Sequence, residues 1–288
     1  MDDVTVRVPG GEINVWHRPP TDGHSTVVLV HGLSGNSRWW IRALEHLPTG
    51  LGIVALDVRG RGLSAGSPSP YDLGTIAADI GRSLDHFGEE RAVVAGYSMG
   101  AWITALFAVR HPERVQRLVL VDGGLPLPRD PGADVEEIIH AVVGPSLARL
   151  DMTFDSEESF FDYWKKHPAL AAYWEDGMRP ALGFELERVG DQFRVRANPE
   201  AIGVSAREIT IGVEASRAVP SLQVDSRLLV VERGTADQPP GMTPLEVAEK
   251  AAADNPHLHV DYLRGLNHYT LLLGAGAAEV AAALVSPG

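Results

Sequence analysis

Short, continuous runs of apolar residues recur along the chain and are separated by longer segments with helical spacing of apolar positions. Such runs are typical of strands that are buried on both faces of a parallel sheet. A β-hairpin formed by residues 4–8 and 13–17 is predicted to precede them. The six runs that predict buried strands are 26–30, 52–56, 92–95, 117–121, 227–231 and 257–262.

Segments with helical periodicity lie between these strands, at 39–47, 73–87, 101–110, 244–253 and 269–284. Alternating strands and helices predict an α/β fold with a mostly parallel central sheet flanked by helices. The alternation stops between about residues 124 and 219, where helical periodicity occurs only in pieces. We therefore expect a helical cap inserted after the strand ending at Asp122. The predicted domains are core 1–124, cap or lid 125–218, and core 219–288.

Aromatic residues are concentrated in the predicted cap. Nine of the chain's 19 aromatic residues lie between Phe154 and Phe193. These residues either line a substrate pocket or form the core of an ordinary subdomain, and the sequence leaves both roles open. The tryptophans that we consider as candidates for substrate binding are Trp39, Trp102, Trp164 and Trp174.

The charge and hydropathy of the chain limit the kinds of molecule that it is expected to bind. A formal net charge of −13 disfavours nucleic acids and anionic membranes. The apolar stretch 271–285 is interrupted by Glu279 and is too short to span a bilayer core of about 30 Å. The first residues lack both a basic and an apolar region typical of a secretion signal, which makes a cytoplasmic location the default expectation. A small neutral molecule remains the expected partner.

The sequence has no pattern of residues that indicates a metal site or a cofactor site. It has no cysteine, so disulfides, thiolate metal sites and a cysteine nucleophile are excluded. No spacing of histidines and carboxylates demands a metal, and no segment resembles the phosphate-binding loop of nucleotide-binding proteins. We expect neither a cofactor nor a metal.

Ser98 lies in the segment "GYSMG", which matches the pattern G-x-S-x-G directly after a predicted buried strand and before a helical segment. In this context the pattern indicates a nucleophile elbow, a sharp turn that exposes the serine hydroxyl at the edge of the sheet. Glycines on both sides allow the close backbone approach that such a turn requires. Ser98 is therefore the predicted nucleophile.

A second loop, "HGLSG", follows the earlier buried strand at residues 26–30. The backbone N–H groups of Leu33 and Met99, one from each loop, are the predicted donors of an oxyanion hole. His31 begins this loop, and we expect it to brace the backbone by hydrogen bonding rather than to act as a base.

His268 follows the last predicted strand, where its side chain can reach over the edge of the sheet, and it is the predicted general base. Asp237 follows the penultimate strand and is the predicted acid that orients the imidazole. Asp122, which ends the strand after the nucleophile strand, is the alternative acid. Its competing role is to accept backbone N–H bonds in the loop entering the cap.

These residues together resemble the α/β-hydrolase superfamily. The order Ser98, Asp237, His268 is similar to the superfamily's order of nucleophile, acid and histidine, and the resemblance covers residues 1–124 and 220–288. A serine at position 98 argues against dehalogenases and epoxide hydrolases, which carry aspartate there. Tyr97 and the pair Asp237-Gln238 argue against carbon–carbon bond hydrolases. The motifs that carry the resemblance are "HGLSG", "LDVRGRGLS", "GYSMG", "VLVDGG" and "GLNHYTLL".

The predicted nucleophile, base, acid and oxyanion donors indicate a metal-free serine hydrolase that acts through an acyl-enzyme, and a carboxylic ester or lactone is the expected substrate. The density of aromatic residues in the predicted cap favours a hydrophobic small molecule. Thioester hydrolysis uses the same groups and stays open. Two further alternatives are a non-hydrolytic enzyme of the same fold, such as a lyase or cofactor-independent haloperoxidase, and a ligand-binding receptor with slow turnover.

Overall fold

An eight-stranded sheet forms the centre of the structure. The computed structural model describes residues 1–127, 132 and 134–286, apart from the side chains of 135, 140–143 and 145–147. Six strands precede the inserted segment: β1 (Asp2–Val8), β2 (Gly11–Arg18), β3 (Thr26–Val30), β4 (Gly52–Asp57), β5 (Ala92–Tyr97) and β6 (Val115–Val121). Three short strands lie within it: β7 (Thr153–Phe154), β8 (Leu186–Val189) and β9 (Gln192–Val195). The central sheet is completed by β10 (Ser226–Arg233) and β11 (Leu258–Asn267).

The strand order in the central sheet is β1-β2-β4-β3-β5-β6-β10-β11. The hairpin β1-β2 is antiparallel and joins antiparallel to β4. From β4 onward all neighbours are parallel. The predicted α/β fold with a mostly parallel sheet is confirmed, and each of its eight strands overlaps a predicted one.

Helices cover both faces of the sheet. The helices α2 (Leu73–Phe87), α3 (Met99–Arg110) and α9 (Leu245–Asp254) pack in the hydrophobic core on one face. The helices α1 (Ile41–Leu44), α10 (Thr270–Leu273) and α11 (Ala277–Val285) pack on the other. The predicted single helix 269–284 is in fact α10 and α11, because Gly274 ends α10 in a non-helical conformation with φ of −128° and ψ of −139°.

The segment between β6 and β10 contains α4 (Val135–Leu150), α5 (Glu157–Trp164), α6 (Arg179–Gly183), α7 (Pro199–Ile211) and α8 (Val213–Ala218). It is not purely helical as expected, because β7, β9 and β8 form a small antiparallel sheet in that order. Strands of two to four residues give little periodicity in the sequence, which explains the difference. Residues 128–131 and 133 of the predicted cap lie outside the described residues.

The parallel strands place several polar residues at one edge of the sheet. The carboxyl ends of β3, β5 and β6 lead directly into His31, Ser98 and Asp122, and β11 leads into His268. Among the described residues, no helix is both long and apolar enough to cross a bilayer.

Candidate active site

Ser98 occupies a strained turn between β5 and α3. Its backbone has φ of 53° and ψ of −122°, a left-handed conformation that costs a non-glycine residue on the order of 1–3 kcal/mol. The Ser98 N–H donates to the Val121 carbonyl at 2.9 Å, which ties the turn to the end of β6. A sharp turn of this kind is what the predicted nucleophile elbow requires, and the role of Ser98 as nucleophile stays a prediction.

Two glycines make the turn possible. A Cβ on Gly96 would lie 2.1 Å from the Gly100 carbonyl oxygen, and a Cβ on Gly100 would lie 2.2 Å from the Val30 carbonyl oxygen. Side chains at these positions would collide with backbone, which cannot give way cheaply. The two glycines therefore allow α3 to start immediately beside β3 and β5.

His268 pairs with Asp122. The distance from His268 Nδ1 to Asp122 Oδ2 is 2.6 Å, and the two side chains are 7% and 0% exposed. With Nδ1 donating to the carboxylate, the neutral ring presents Nε2 as its proton acceptor. The carboxylate also stabilises the imidazolium that forms when Nε2 takes up a proton.

The expected pairing of Asp237 with His268 is wrong. Asp237 Oδ1 accepts from Asn267 Nδ2 at 2.9 Å, and its Oδ2 accepts from Arg233 Nη1 at 3.3 Å. Asp237 itself has φ of 61°, and its loop closes through a bond from Gly234 N–H to the Gln238 carbonyl. The carboxylate is thereby directed to the residue before His268 instead of to the imidazole.

Asp122 occupies the position beside His268 that was predicted for Asp237. In the described part of the chain no backbone N–H donates to either carboxylate oxygen of Asp122, so the competing prediction that it anchors the loop entering the cap by such bonds is wrong. Asp237, in contrast, anchors the loop that carries His268 through Asn267.

Tyr97 holds His268 in place by a hydrogen bond and by ring stacking, a role that sequence reasoning missed. Its hydroxyl donates to the His268 carbonyl at 2.9 Å, and the two rings stack with centroids 4.9 Å apart. Burial raises the pKa of Tyr97 well above its usual value, so the hydroxyl stays protonated and remains a donor. The only signal in the sequence was an aromatic residue directly before the predicted nucleophile.

The loop that carries Leu33 is braced by His31, as predicted. His31 Nδ1 donates to the Gly32 carbonyl at 2.7 Å, and its Nε2 accepts the Val58 N–H at 3.1 Å. Burial lowers the pKa of His31 to about 3, so the ring is neutral and able to accept at neutral pH.

The proposed oxyanion donors are in suitable backbone positions. Met99 is the first residue of α3, where an N–H has no acceptor within the helix. Leu33 follows Gly32 in the braced loop and lines the same cavity as Ser98. Their assignment as an oxyanion hole stays a prediction.

A narrow cavity of about 70 Å³ brings the predicted residues together. Ser98 and His268 both line it, with Trp39 and Tyr269 on its wall. The remaining lining residues are Gly32, Leu33, Ser34, Gly35, Tyr97, Ile209, Thr235 and Met242. The site is therefore small and mostly apolar.

Of the four candidate tryptophans, the structure places only Trp39 in the cavity wall. Trp102 is buried in the core on α3. Trp164 is fully buried and packs against Tyr269 from behind, with ring centroids 5.8 Å apart. Trp174 lies in a separate surface groove. Bulk and aromaticity alone did not distinguish core residues from lining residues.

A buried ion pair lies behind the cavity wall and was not predicted. Arg149 Nη2 is 3.1 Å from Glu185 Oε2 and donates to Ser34 Oγ at 3.1 Å, while Trp39 Nε1 donates to Glu185 Oε1 at 3.0 Å. Burial raises the pKa of Glu185 to about 7, against the opposing effects of Arg149 and Trp39. The inserted segment is thus connected to two cavity residues by polar contacts.

The described residues contain no group of three histidine, aspartate or glutamate side chains that could hold a metal ion. The site has the groups for nucleophilic and acid–base chemistry in a confined, mostly apolar space.

Comparison with known proteins places the chain in a fold family. A family model described as alpha/beta hydrolase fold matches residues 25–194. A protein named carbamate hydrolase RutD from Caulobacter sp. (strain K31) is 33% identical over 108 residues, which is 37% of this chain and 40% of the relative. The match thus spans about two fifths of that relative's length.

Solved structures agree over nearly the whole chain. The crystal structure of E-2-(acetamidomethylene)succinate hydrolase superposes with a TM-score of 0.79 at 18% identity, covering 99% of both chains. An N-formylmaleamic acid deformylase from Pseudomonas putida S16 gives a TM-score of 0.71 at 20% identity, covering 99% of this chain and 100% of the other. The chain belongs to the alpha/beta hydrolase fold family.

Proposed function

We propose that the protein is a serine hydrolase that cleaves a carboxylic ester or lactone of a small hydrophobic molecule. The observation that carries this proposal is the buried pair of Asp122 and His268, in which His268 lines the same cavity as the strained Ser98. A serine in a left-handed turn beside a carboxylate-supported histidine is the arrangement that activates a hydroxyl for attack.

The reaction proceeds in two halves. His268 Nε2 takes the proton of Ser98 Oγ as Oγ attacks the carbonyl carbon, and the N–H groups of Leu33 and Met99 stabilise the resulting oxyanion. The tetrahedral intermediate collapses, the bond to the leaving oxygen breaks, and His268 returns the proton to that oxygen. Water then attacks the acyl-enzyme with His268 as base and releases the acid and free Ser98.

Cavity size and lining support a short, uncharged acyl group. The volume of about 70 Å³ leaves little room beyond Ser98, and Trp39, Tyr97 and Ile209 supply apolar wall. The net charge of −13 disfavours an anionic substrate.

We further propose that residues 125–218 act as a cap that shapes this cavity. Ile209 on α7 lines it directly, and Arg149 on α4 donates to Ser34, another lining residue. Substitutions in the cap that reach the cavity should therefore change selectivity, while those in its own core should change stability.

A substrate panel tests the proposal. p-Nitrophenyl esters from acetate to octanoate are assayed beside lactones, acyl thioesters and carbamates, with the Ser98→Ala protein as blank. We expect the highest kcat/KM with short acyl esters and a loss to background in Ser98→Ala. Hydrolysis that persists in Ser98→Ala, or a wild-type protein that turns over carbamates or thioesters but no oxygen ester, would contradict it.

A further inference from the structure

Arg61 is fully buried at the junction of the two loops that carry the proposed oxyanion donors. Its Nε donates to the Leu33 carbonyl at 2.9 Å, and its Nη2 lies 3.7 Å from Met99 Sδ. One guanidinium thus contacts both residues whose N–H groups would face the oxyanion.

The other partners of Arg61 are neutral. Nη1 donates to the Arg59 carbonyl at 2.8 Å, and Nη2 donates to the Ala201 carbonyl at 3.0 Å and to Ser205 Oγ at 2.9 Å. Among the described side chains, no carboxylate lies within 4.0 Å of the guanidinium. Burial lowers the pKa of Arg61 to about 9, so the group remains cationic at neutral pH.

Arg59, two residues earlier, shows the usual arrangement for comparison. It is also fully buried, but it makes two bonds to the Asp79 carboxylate, at 2.6 and 3.0 Å. A buried charge is costly unless a counter-charge compensates it. Arg59 has that compensation in the resting protein, and Arg61 lacks it among the described residues.

Under the proposed function, a negative charge forms only during the reaction, at the N–H groups of the two residues that Arg61 contacts. When Ser98 Oγ adds to the substrate carbonyl, the carbonyl oxygen becomes an oxyanion next to Leu33 and Met99. A fixed cation in a low-dielectric site stabilises that charge more than it stabilises the neutral substrate. The missing counter-charge is therefore supplied by the transition state.

We propose that Arg61 is a positioning residue of the oxyanion hole, which orients the Leu33 loop and lends its buried charge to the tetrahedral intermediate. The inference rests on the proposed function, since it concerns the charge that Ser98 chemistry creates. The inference adds the Arg61 guanidinium, which lies outside the oxyanion hole, to the two backbone N–H donors within that hole.

Two variants separate charge from hydrogen bonding. Arg61→Lys keeps the cation, and Arg61→Gln keeps a neutral donor for the Leu33 carbonyl. We expect Arg61→Gln to lower kcat for a short ester by about 10- to 100-fold with KM within about threefold, and Arg61→Lys to recover most of the loss. Arg59→Gln is the matched control, expected to lower the melting temperature while leaving kcat within about threefold.

Binding of phenylboronic acid gives a readout that does not depend on turnover. Boron accepts the Ser98 oxygen and becomes a tetrahedral anion, which is detected by its ¹¹B NMR shift. We expect its Kd to rise by about the same factor as kcat falls in Arg61→Gln and to change little in Arg59→Gln.

Unchanged boronate affinity in Arg61→Gln, or equal losses in Arg61→Lys and Arg61→Gln, would overturn the inference. Failure of the proposed function would give a different result, because the wild-type protein itself would then form no Ser98-dependent boronate adduct and would hydrolyse no ester.

Discussion

Three non-glycine residues of the described chain have positive φ, and all follow strands of the central sheet. Ser98 and Asp122 come directly after β5 and β6, and Asp237 lies in the loop after β10. Ser98 and His268 could be predicted because glycines and a late strand end mark their positions. The choice between the two aspartates could not, because it depends on the direction in which a left-handed turn points each carboxylate.

Replacing Asp122 by Asn should abolish most activity without unfolding the protein. The amide keeps the shape but carries no charge to stabilise the imidazolium, and its N–H group can donate to His268 Nδ1 and so favour the wrong tautomer. We therefore expect kcat to fall by about 10³- to 10⁴-fold. Steady-state hydrolysis of a short ester, with circular dichroism to check folding, measures this.

Asp237→Asn is the matched control. It removes a charge from the loop but leaves the Asp122 pair intact, so kcat should stay within about tenfold of wild type. A large loss of kcat in Asp237→Asn with a nearly active Asp122→Asn protein would reverse the assignment.

At the scale of single elements, the loop at residues 31–35 is held by side chains from three parts of the chain. His31 bonds within the loop and to Val58, Arg61 bonds to Leu33, and Arg149 bonds to Ser34. The bracing by His31 was predictable from its place beside a glycine. The two arginines were not, because 28 and 115 residues separate them from their partners.

The buried His31 should make the protein less stable in mild acid. Its pKa falls from 6.5 to about 3 on folding, so between these values the unfolded chain binds a proton that the folded protein does not. The contribution of neutral His31 to the free energy of unfolding is therefore fully present above pH 6.5. It is lost as the pH falls toward 3, at up to about 1.4 kcal/mol per pH unit.

Urea unfolding of wild type and His31→Asn between pH 6 and pH 4 measures this effect. We expect the slope of the unfolding free energy against pH to be smaller in the variant by up to about 1.4 kcal/mol per pH unit. Glu185 contributes a slope of the opposite sign between its ordinary pKa and about 7, but it does so in both proteins and cancels in the difference. Parallel slopes would show that His31 titrates in the folded state.

Shortening a cap residue that lines the cavity should move the acyl-chain preference. Ile209→Ala removes three carbons from the wall, so we expect the ratio of kcat/KM for hexanoate over acetate to rise by about tenfold. Ile202→Ala on the same helix is the control: it is fully buried but does not line the cavity. It should cost about 2–4 kcal/mol of stability and leave the ratio unchanged. Equal ratios in both variants would contradict the proposed role of the cap.

For the whole molecule, the sequence was sufficient for the sheet and insufficient for the segment inserted into it. Strands buried on both faces of the sheet, such as Thr26–Val30, have continuous apolar runs, and such runs are typical of parallel sheets. In the insertion, strands of two to four residues and short helices carry weak periodic signals, and their packing depends on distant partners. The Arg149–Glu185 pair joins two parts of the insertion behind Trp39, and local patterns do not reveal such a contact.

The central claim is that this fold presents one activated serine. A fluorophosphonate reacts rapidly only with a nucleophile assisted by a base, so its site of attachment identifies that group. Peptide mass spectrometry of the labelled wild-type protein should place the adduct on Ser98, with no adduct in Ser98→Ala and slow labelling in Asp122→Asn. An adduct on Ser34, which lines the same cavity, or on any other serine would contradict the account.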